Sequence, residues 1–195
     1  MIATNNFAIF GGSFDPIHNG HIHLIRSILK LDRFERIIVV PAGDPWQKKP
    51  QASKEDRFAM TCLGLEDLSV DVSDCEVARS GPSYAFDTVK ILKAQNPLAK
   101  ATWIIGSDAL PHLSSWKNFE ELVKSVEFLV VNRPGHLITS TDVHPDVQWS
   151  STEVAALDIS ATEIRETLAT GGDVSQLIPA KVAGYIAEKR LYGAA

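Results

Sequence analysis

Short apolar segments alternate with amphipathic helical segments along nearly the whole chain, and this alternation restricts the fold more than any other feature. It is typical of parallel strands joined by crossover helices, so it predicts an α/β fold. Strands are predicted at about Phe7–Phe10, Arg36–Val40, Val70–Val72, Thr102–Ile105 and Phe128–Val131. Helices are predicted from about Asn19 to Leu31, from Ser53, from about Tyr84 to Ala94, around Phe119–Val123, and from near Ser160 and Pro179.

The chain is the size of one domain. Its 195 residues, 45% of them apolar, are enough for a substantial core, and we expect a single domain over residues 1–195. The segment Pro134–Ser151 is polar and irregular, and it is predicted to be a long surface loop because it is too short to separate two cores.

Charge and apolar content exclude several classes of protein. The formal net charge is −5, so a general basic surface for a nucleic-acid partner is not expected. No run reaches the roughly 18 apolar residues that cross a bilayer, and the N-terminal sequence does not resemble a leader, so we expect no membrane association and a cytoplasmic location. Cys62 and Cys75 lack CxxC spacing and are expected to be buried thiols in a reducing compartment.

The turn after the first predicted strand carries chemistry. Gly11 and Gly12 follow the strand directly, where ligands bind to an open parallel sheet, and glycine permits a sharp turn and close approach of a ligand. The sequence continues with Ser13, Phe14 and Asp15 and is therefore not GxGxxG. The interpretation of the chain as a dinucleotide-dependent oxidoreductase therefore loses its main support.

His18 and His21 come next, three residues apart at the start of the predicted helix. This spacing places both imidazoles on one face beside the free amides and positive dipole end of the helix, which suits a phosphate chain. The alternatives are histidines that merely occupy a first turn, or a zinc site. Zinc is disfavoured because helical ligands usually stand at i and i+4 with a third partner, and His23 adds nothing on that face.

Two further elements are predicted at the same edge of the sheet. In DISATEIRETL, Ser160 and Glu163 form a capping-box pattern, so hydroxyls of Ser160 and Thr162 and free amides would lie at a helix start, with Arg165 one turn later. The alternative is an ordinary helix start with a solvated arginine. In PAGDPWQKKP, the lysines at positions 48 and 49 lie in a loop after the second strand, where solvated side chains are common.

These residues resemble a known family. GGSFDPIHNGH is similar to the HxGH signature of the nucleotidylyltransferase superfamily, and ISATEIR to its ISxTxxR signature. Within it, PAGDPWQKK, SKEDRFAM, GPSYAFDT, WIIGSDAL, SSWKNFEEL, VVNRPG and ISATEIR follow the order seen in bacterial nicotinate-nucleotide adenylyltransferases, from about Phe7 to about Tyr192.

The resemblance implies a Rossmann-like, doubly wound parallel sheet of the nucleotidylyltransferase type, with the C-terminal helical part (about 159–192) completing an ATP site. It implies transfer of AMP from ATP to nicotinate mononucleotide, giving nicotinate adenine dinucleotide and pyrophosphate in NAD biosynthesis. Mg²⁺ is expected to arrive with ATP, without a dedicated protein metal site. The alternatives are a nicotinamide-mononucleotide or pantetheine-phosphate adenylyltransferase, or a non-catalytic nucleotide-binding module. The sequence gives no indication of oligomeric state.

The resemblance also implies which residues bind ATP. His18 and His21 are expected at its phosphates, Lys48 at the reacting groups, and Arg165 at the β- and γ-phosphates. These four form the implied catalytic set. Asp108 is expected at a ribose, although a helix cap is an alternative role. The other implied ATP-binding residues are Gly11, Gly12, Ser13, Phe14, Gly106, Ser160 and Thr162.

The mononucleotide would bind beside an aromatic ring. Trp116 corresponds to the family tryptophan that stacks on the pyridine, although core packing is an alternative, and Arg133 would contact phosphate or be a surface charge. The chain reads Ser83-Tyr84-Ala85 where the family commonly has Ser-Tyr-Thr, so a threonine hydroxyl contact is absent. The residues implied at this part of the site are Asp15, Tyr84, Ala85, Thr88, Trp116, Lys117 and Arg133.

Overall fold

Six parallel strands form one sheet in the computed structural model, which describes residues 5–47, 49–132, 143–155 and 157–194. Their spatial order is β3-β2-β1-β4-β5-β6, and every neighbouring pair is parallel. This order confirms the predicted α/β, doubly wound, Rossmann-like sheet. The strands are β1 Asn6–Gly12, β2 Arg36–Pro41, β3 Asp71–Val72, β4 Lys100–Gly106, β5 Glu127–Asn132 and β6 Trp149–Glu153.

Helices connect the strands near their predicted positions. The first turn of α2 is capped as its sequence suggests, because Ser53 Oγ accepts the Asp56 N–H at 3.0 Å. The helices are α1 Asn19–Leu29, α2 Lys54–Leu65, α3 Ala85–Gln95, α4 Phe119–Ser125, α5 Ala161–Ala169 and α6 Ala180–Lys189, with 3₁₀ helices at Leu110–Ser115 and Leu191–Gly193. None of the helices in the described ranges is both long and apolar enough to cross a bilayer.

Apolar side chains are buried on both faces of the sheet. In β1, Ala8 packs into the core beneath α1, α2, α5 and α6, while Phe7 and Ile9 point into the core on the side of α3 and α4. The same alternation occurs in β2, where Val39 and Val40 face opposite sides. A strand covered on both faces reads as a continuous apolar run, which is why β1, β2, β4 and β5 could be recognised in the sequence.

The structure corrects several expectations. The segment Pro134–Ser151 is not a loop throughout, because Trp149 begins β6, which pairs with β5 at the edge of the sheet. The 3₁₀ helix Leu110–Ser115 was not predicted. Cys62 and Cys75 are free, but they are half-buried and not fully buried, and partial burial raises the pKa of both thiols.

The order of the strands reverses between β1 and β4, which lie side by side at the centre of the sheet. In doubly wound sheets, the loops that leave these two strands diverge toward opposite faces and leave a crevice at their carboxyl ends. Gly12 ends β1 and Gly106 ends β4. The fold therefore places a binding crevice next to the two glycine-containing turns.

Candidate active site

A cleft of about 340 Å³ opens at the carboxyl ends of β1, β2 and β4. It is of the size that small-molecule sites usually have. Trp46, Trp103 and Trp116 line it, together with one acid that was not predicted, Glu76. The cleft brings together these predicted site residues: Gly11, Gly12, Ser13, Tyr84, Ala85, Gly106, Asp108, Trp116 and Lys117.

Aromatic rings form one wall of the cleft. Trp116 is half-buried, and its ring meets that of Trp103 edge-on with centroids 6.3 Å apart. The Lys117 ammonium lies 4.3 Å from the centroid of the Tyr84 ring, and the ring centroids of Trp46 and Tyr84 are 6.5 Å apart. One part of Trp116 packs on the core and another part lines the cleft, so its predicted stacking on the pyridine ring remains a prediction.

His18 and His21 meet at the beginning of α1, outside the cleft lining. His18 is the N-cap residue, and its ring stacks on that of His21 with centroids 3.6 Å apart and planes inclined by 27°. The backbone N–H of His18 donates to Nδ1 of His21 at 3.3 Å. Because Nδ1 of His21 accepts this bond, the proton of a neutral His21 is carried by Nε2.

Gly20 explains why the two histidines can stack. A Cβ at this position would lie 3.0 Å from Nδ1 of His18 and 3.7 Å from Cβ of Ile159. The first distance is too short for an ordinary carbon contact, so a side chain here would displace the His18 ring. The second shows that the start of α1 packs directly beside the segment that leads into α5.

Burial controls the charge of His18. The residue is 7% exposed, and its Nδ1 has no hydrogen-bond partner among the described residues. Loss of solvation lowers the pKa of His18 to about 4, so the imidazole is neutral at pH 7. A neutral imidazole can donate one hydrogen bond without repelling a bound cation.

The beginning of α5 is the second polar element. Ser160 is the N-cap, and its Oγ accepts the N–H of Thr162 at 3.2 Å, in place of the capping box predicted with Glu163. Arg165 is not a solvated surface arginine, because its side chain is 19% exposed. Its guanidinium donates to the backbone carbonyl of Asp15 at 2.8 Å and to Thr162 Oγ1 at 3.3 Å. The second signature is thus joined to the turn that follows β1.

Asp15 is a buried bracing residue and does not line the cleft. Its carboxylate is 6% exposed and accepts the N–H groups of Gln51 at 2.8 Å and Ala52 at 3.1 Å. It also accepts the hydroxyl of Tyr192 at 2.7 Å and lies 3.8 Å from Arg165. With its oxygens engaged in this way, Asp15 holds the first turn, the entry to α2 and the C-terminal 3₁₀ helix together.

Phe14 and Arg57 support the same turn from below. Phe14 is buried, adopts a left-handed backbone conformation with φ 47°, and its ring meets that of His21 edge-on at 5.0 Å. Its side chain therefore supports His21. The Arg57 guanidinium donates to the carbonyls of Ser13 at 2.7 Å and Gly43 at 2.9 Å, and so fixes the loops after β1 and β2.

Thr88 lies behind the cleft wall. It is fully buried, and its hydroxyl donates to Oε1 of Glu76 in a short hydrogen bond. Glu76 itself lines the cleft. Of this pair, the acid lines the cleft, and the threonine that the sequence pointed to lies behind it and bonds to it.

A model of the cytidylyltransferase-like family matches residues 9–167. The chain is 39% identical to a Streptomyces coelicolor protein named "Probable nicotinate-nucleotide adenylyltransferase", over 93% of this chain and 98% of that protein. It is 40% identical to a protein of the same name from Neisseria meningitidis serogroup C, over 94% of this chain and 96% of that protein. The chain belongs to the nicotinate-nucleotide adenylyltransferase family.

Solved structures agree with the fold. The chain superposes on the Plasmodium falciparum nicotinic acid mononucleotide adenylyltransferase complexed with NaAD with a TM-score of 0.83 and 23% identity, over 98% of both chains. The complex of the same protein with APC gives a TM-score of 0.82. At this identity, the likeness supports the Rossmann-like architecture.

The residues matched by the family model include both groups of predicted phosphate-binding residues, His18 and His21 at one end and Arg165 at the other. Lys48 and Arg133 lie outside the described residues, so their predicted roles remain predictions. Gln47, which precedes Lys48, lines the cleft. Ala85 lines it as well and begins α3, where Tyr84 supplies no side-chain cap.

Sequence reasoning missed several residues of this region, among them Trp46, Arg57, Glu76 and Tyr192. Trp46 and Arg57 lie in quoted motifs, yet nothing in local spacing marks a tryptophan as cleft-facing or an arginine as buried. Tyr192 lies far along the chain from the turn that it stabilises. Glu76 follows the predicted strand Val70–Val72 by a few residues. It could have been found by asking which carboxylates follow a strand, because ligands bind at the carboxyl ends of parallel strands.

Proposed function

We propose that this protein transfers the AMP moiety of ATP to nicotinate mononucleotide, forming nicotinate adenine dinucleotide and releasing pyrophosphate, as a step of NAD biosynthesis. One observation carries the proposal within this family. Two helix beginnings, with His18 and His21 at α1 and with Arg165 at α5, lie side by side next to an aromatic cleft. Such an arrangement suits a polyphosphate on one side and an aromatic nucleotide on the other.

The reaction needs positioning and charge stabilisation more than proton transfer. An oxygen of the mononucleotide phosphate attacks the α-phosphorus of ATP. The bond from that phosphorus to the bridging oxygen of the β-phosphate breaks, and its electron pair leaves with pyrophosphate. Because the attacking phosphate is already ionised at neutral pH, no general base is required. What the protein supplies is alignment of two polyanions and donors for the leaving group.

We assign those donors to the two helix beginnings. His18, which is neutral at pH 7, and His21 donate to the phosphates, and the amides of α1 add their partial positive charge. Arg165 holds the β- and γ-phosphates together with the hydroxyls of Ser160 and Thr162. Lys48 is assigned to the reacting groups from the sequence, since the neighbouring Gln47 reaches the cleft.

Mg²⁺ is proposed to enter as part of the MgATP substrate. Among the described residues, no group of three or more His, Cys, Asp or Glu side chains is placed to hold a metal ion. Mg²⁺ usually keeps several waters and binds through substrate phosphates, so phosphate oxygens and water are its expected ligands.

The mononucleotide is assigned to the cleft. Trp116 provides a platform for the pyridine ring, and the uncapped amides at the start of α3, beginning with Ala85, provide donors for its carboxylate. Gly12 and Ser13 line the cleft and precede the histidines in the chain, and we assign to them the place where the two substrates meet.

Two broader assignments belong to this proposal. We place the whole activity in one domain, with residues of about 159–192 completing the ATP site, since Ile164 of α5 and Val182 of α6 pack into the same core as Ile25 of α1. We also place the reaction in the cytoplasm, because the unpaired Cys62 and Cys75 fit a reducing compartment.

The test is to supply MgATP with one acceptor at a time and to measure pyrophosphate and the second product. We expect nicotinate mononucleotide to give the dinucleotide with equimolar pyrophosphate. Pyrophosphate released only with 4′-phosphopantetheine would contradict the proposal, and nucleotide binding without pyrophosphate from any acceptor would indicate a non-catalytic module.

A further inference from the structure

Glu76 has an unused acceptor in the wall of the cleft. The residue lines the cleft and is only 5% exposed. Its Oε1 accepts the hydroxyl of Thr88, while Oε2 is buried without a hydrogen-bond partner among the described residues. A buried carboxylate oxygen without a donor is unfavourable, so such an oxygen in a ligand cleft indicates a donor that the ligand brings.

The backbone around Glu76 keeps this oxygen in place. A Cβ at Gly43 would lie 2.2 Å from the carbonyl oxygen of Glu76, so the two loops are in direct contact and glycine is required. The Lys54 ammonium donates to the carbonyl of the next residue, Val77, at 2.6 Å. Thr88 is itself fixed in α3, where its hydroxyl also lies 3.3 Å from the carbonyl of Tyr84. Glu76 therefore cannot easily turn its carboxylate toward water.

We propose that Oε2 of Glu76 accepts a hydrogen bond from a ribose hydroxyl of the mononucleotide, with Thr88 as the residue that positions it. This rests on the proposed function. At neutral pH, the ring carboxylate and the phosphate of nicotinate mononucleotide accept hydrogen bonds and carry negative charge, so a protein carboxylate would repel both. The pyridinium nitrogen is positively charged but carries no hydrogen, so the ribose hydroxyls are the groups of the mononucleotide that can donate a hydrogen bond to Oε2.

The positions of the acids in the cleft support the assignment of Glu76 to the mononucleotide ribose. Glu76 and Asp108 are the carboxylates among the described residues that line it. Asp108 is exposed at the end of β4 and is the candidate for the ATP ribose. Glu76 is buried and bonded to Thr88 of α3, the helix that begins at Ala85 on the side assigned to the mononucleotide. Each ribose would then meet one carboxylate.

The test removes the interaction from both sides. Initial rates at saturating MgATP are measured with nicotinate mononucleotide and with its 2′-deoxy and 3′-deoxy analogues, for the wild type, Glu76→Ala and Glu76→Gln. Glu120→Gln, which removes an exposed acid of α4, is the matched control. In the wild type, one deoxy analogue should lower kcat/KM by about tenfold to a hundredfold, as expected for a hydrogen bond to a charged group.

Glu76→Ala should lower kcat/KM for nicotinate mononucleotide by a similar factor. In this variant, removing the same hydroxyl from the substrate should lower kcat/KM no further. Its KM for ATP should stay within about twofold of the wild type, a readout that general damage to the fold would move. Thr88→Ser, which keeps the hydroxyl, should retain activity. Thr88→Val should lose part of its activity, and, as in Glu76→Ala, the loss should be seen with the substrate that carries the ribose hydroxyl and not with the analogue that lacks it. Glu76→Gln keeps the size of the side chain and provides the same comparison if the alanine variant does not fold.

The outcomes separate the two proposals. In one outcome, the wild type makes the dinucleotide while each deoxy analogue lowers kcat/KM by the same factor in the Glu76 variants as in the wild type. That result overturns the Glu76 assignment and leaves the proposed function standing. If Glu76→Ala lowers kcat/KM equally for all three substrates, Glu76 acts on the fold or on the ring charge, which also overturns the assignment. A wild type that does not use nicotinate mononucleotide overturns both.

Discussion

The hydroxyl of Tyr192 donates a 2.7 Å hydrogen bond to Oδ1 of Asp15, and so joins the C-terminal 3₁₀ helix to the turn after β1. The same carboxylate accepts the amides that lead into α2 and lies 3.8 Å from Arg165. Burial and this hydrogen bond raise the pKa of Tyr192, so the hydroxyl remains a donor at every physiological pH. Tyr192, which is far along the chain from Asp15, thus stabilises the turn that follows β1.

Tyr192→Phe should lower the free energy of unfolding by about 2 kcal/mol, the usual contribution of a hydrogen bond to a buried charged group. Urea denaturation measures this loss. Tyr185→Phe is the matched control, since its hydroxyl donates to the partly exposed Asp56 at 2.9 Å and water can replace it. Equal losses of unfolding free energy in both variants would mean that the Tyr192–Asp15 hydrogen bond contributes no more than a partly exposed one.

His18→Ala and His21→Ala should each lower kcat by about 10²-fold, as expected when a preorganised donor to transition-state charge is removed. Steady-state pyrophosphate release measures the effect. His23→Ala is the control on the same helix, because His23 lies a few residues beyond the stacked pair. Wild-type turnover in either of the first two variants would remove that histidine from the mechanism.

The stability of the protein should depend on pH through His18. Its pKa is about 4 in the folded state and ordinarily 6.5, so between these values the unfolded chain binds more protons. The free energy of unfolding should therefore fall as pH drops through this window, by about 2 kcal/mol from pH 6.5 to pH 4.5. Urea denaturation of wild type and His18→Asn measures the difference. A wild type that loses no more stability than the variant would show that His18 is protonated in the fold.

Arg165→Ala should weaken binding of ATP by about tenfold or more and that of the mononucleotide much less, because a guanidinium pairs well with a phosphate tail. Calorimetric titration of both ligands measures this, with exposed Arg26→Ala as control. Since both ligands are titrated into one variant, damage to the fold would reduce both affinities. If only mononucleotide binding were weakened, the assignments of ATP and the mononucleotide to the two parts of the site would have to be exchanged.

Sequence patterns predicted the central part of the fold because the central strands are buried on both faces and read as apolar runs. The edge strand β6 has the sequence Trp-Ser-Ser-Thr-Glu, which is mostly polar, and only backbone pairing with β5 identifies it. The 3₁₀ helix Leu110–Ser115 was missed for a related reason, since it is short and contains a proline. Neither element has the periodicity that sequence reasoning detects.

The candidate site was predicted only where short-range geometry determines it. His18 and His21 could be placed because a helix start and a three-residue spacing fix their positions. Asp15 and Thr88 are predicted to bind the mononucleotide, and the structure shows both buried, with hydrogen bonds to Tyr192 and to Glu76, respectively. Burial depends on what the rest of the chain places on top of a residue, and a motif does not contain that information.

The most direct test of the account is the ratio of kcat/KM for nicotinate mononucleotide to kcat/KM for nicotinamide mononucleotide. Acid and amide differ by one negative charge, and the backbone N–H groups at the start of α3 near Ala85, to which we assign the carboxylate, can donate to the acid but offer no acceptor for the NH₂ group. We predict a ratio of at least about 10 in favour of the acid, since charge-assisted bonds to those amides persist without the threonine hydroxyl. A ratio near one, or one that favours the amide, would contradict the assignment of nicotinate mononucleotide as the substrate.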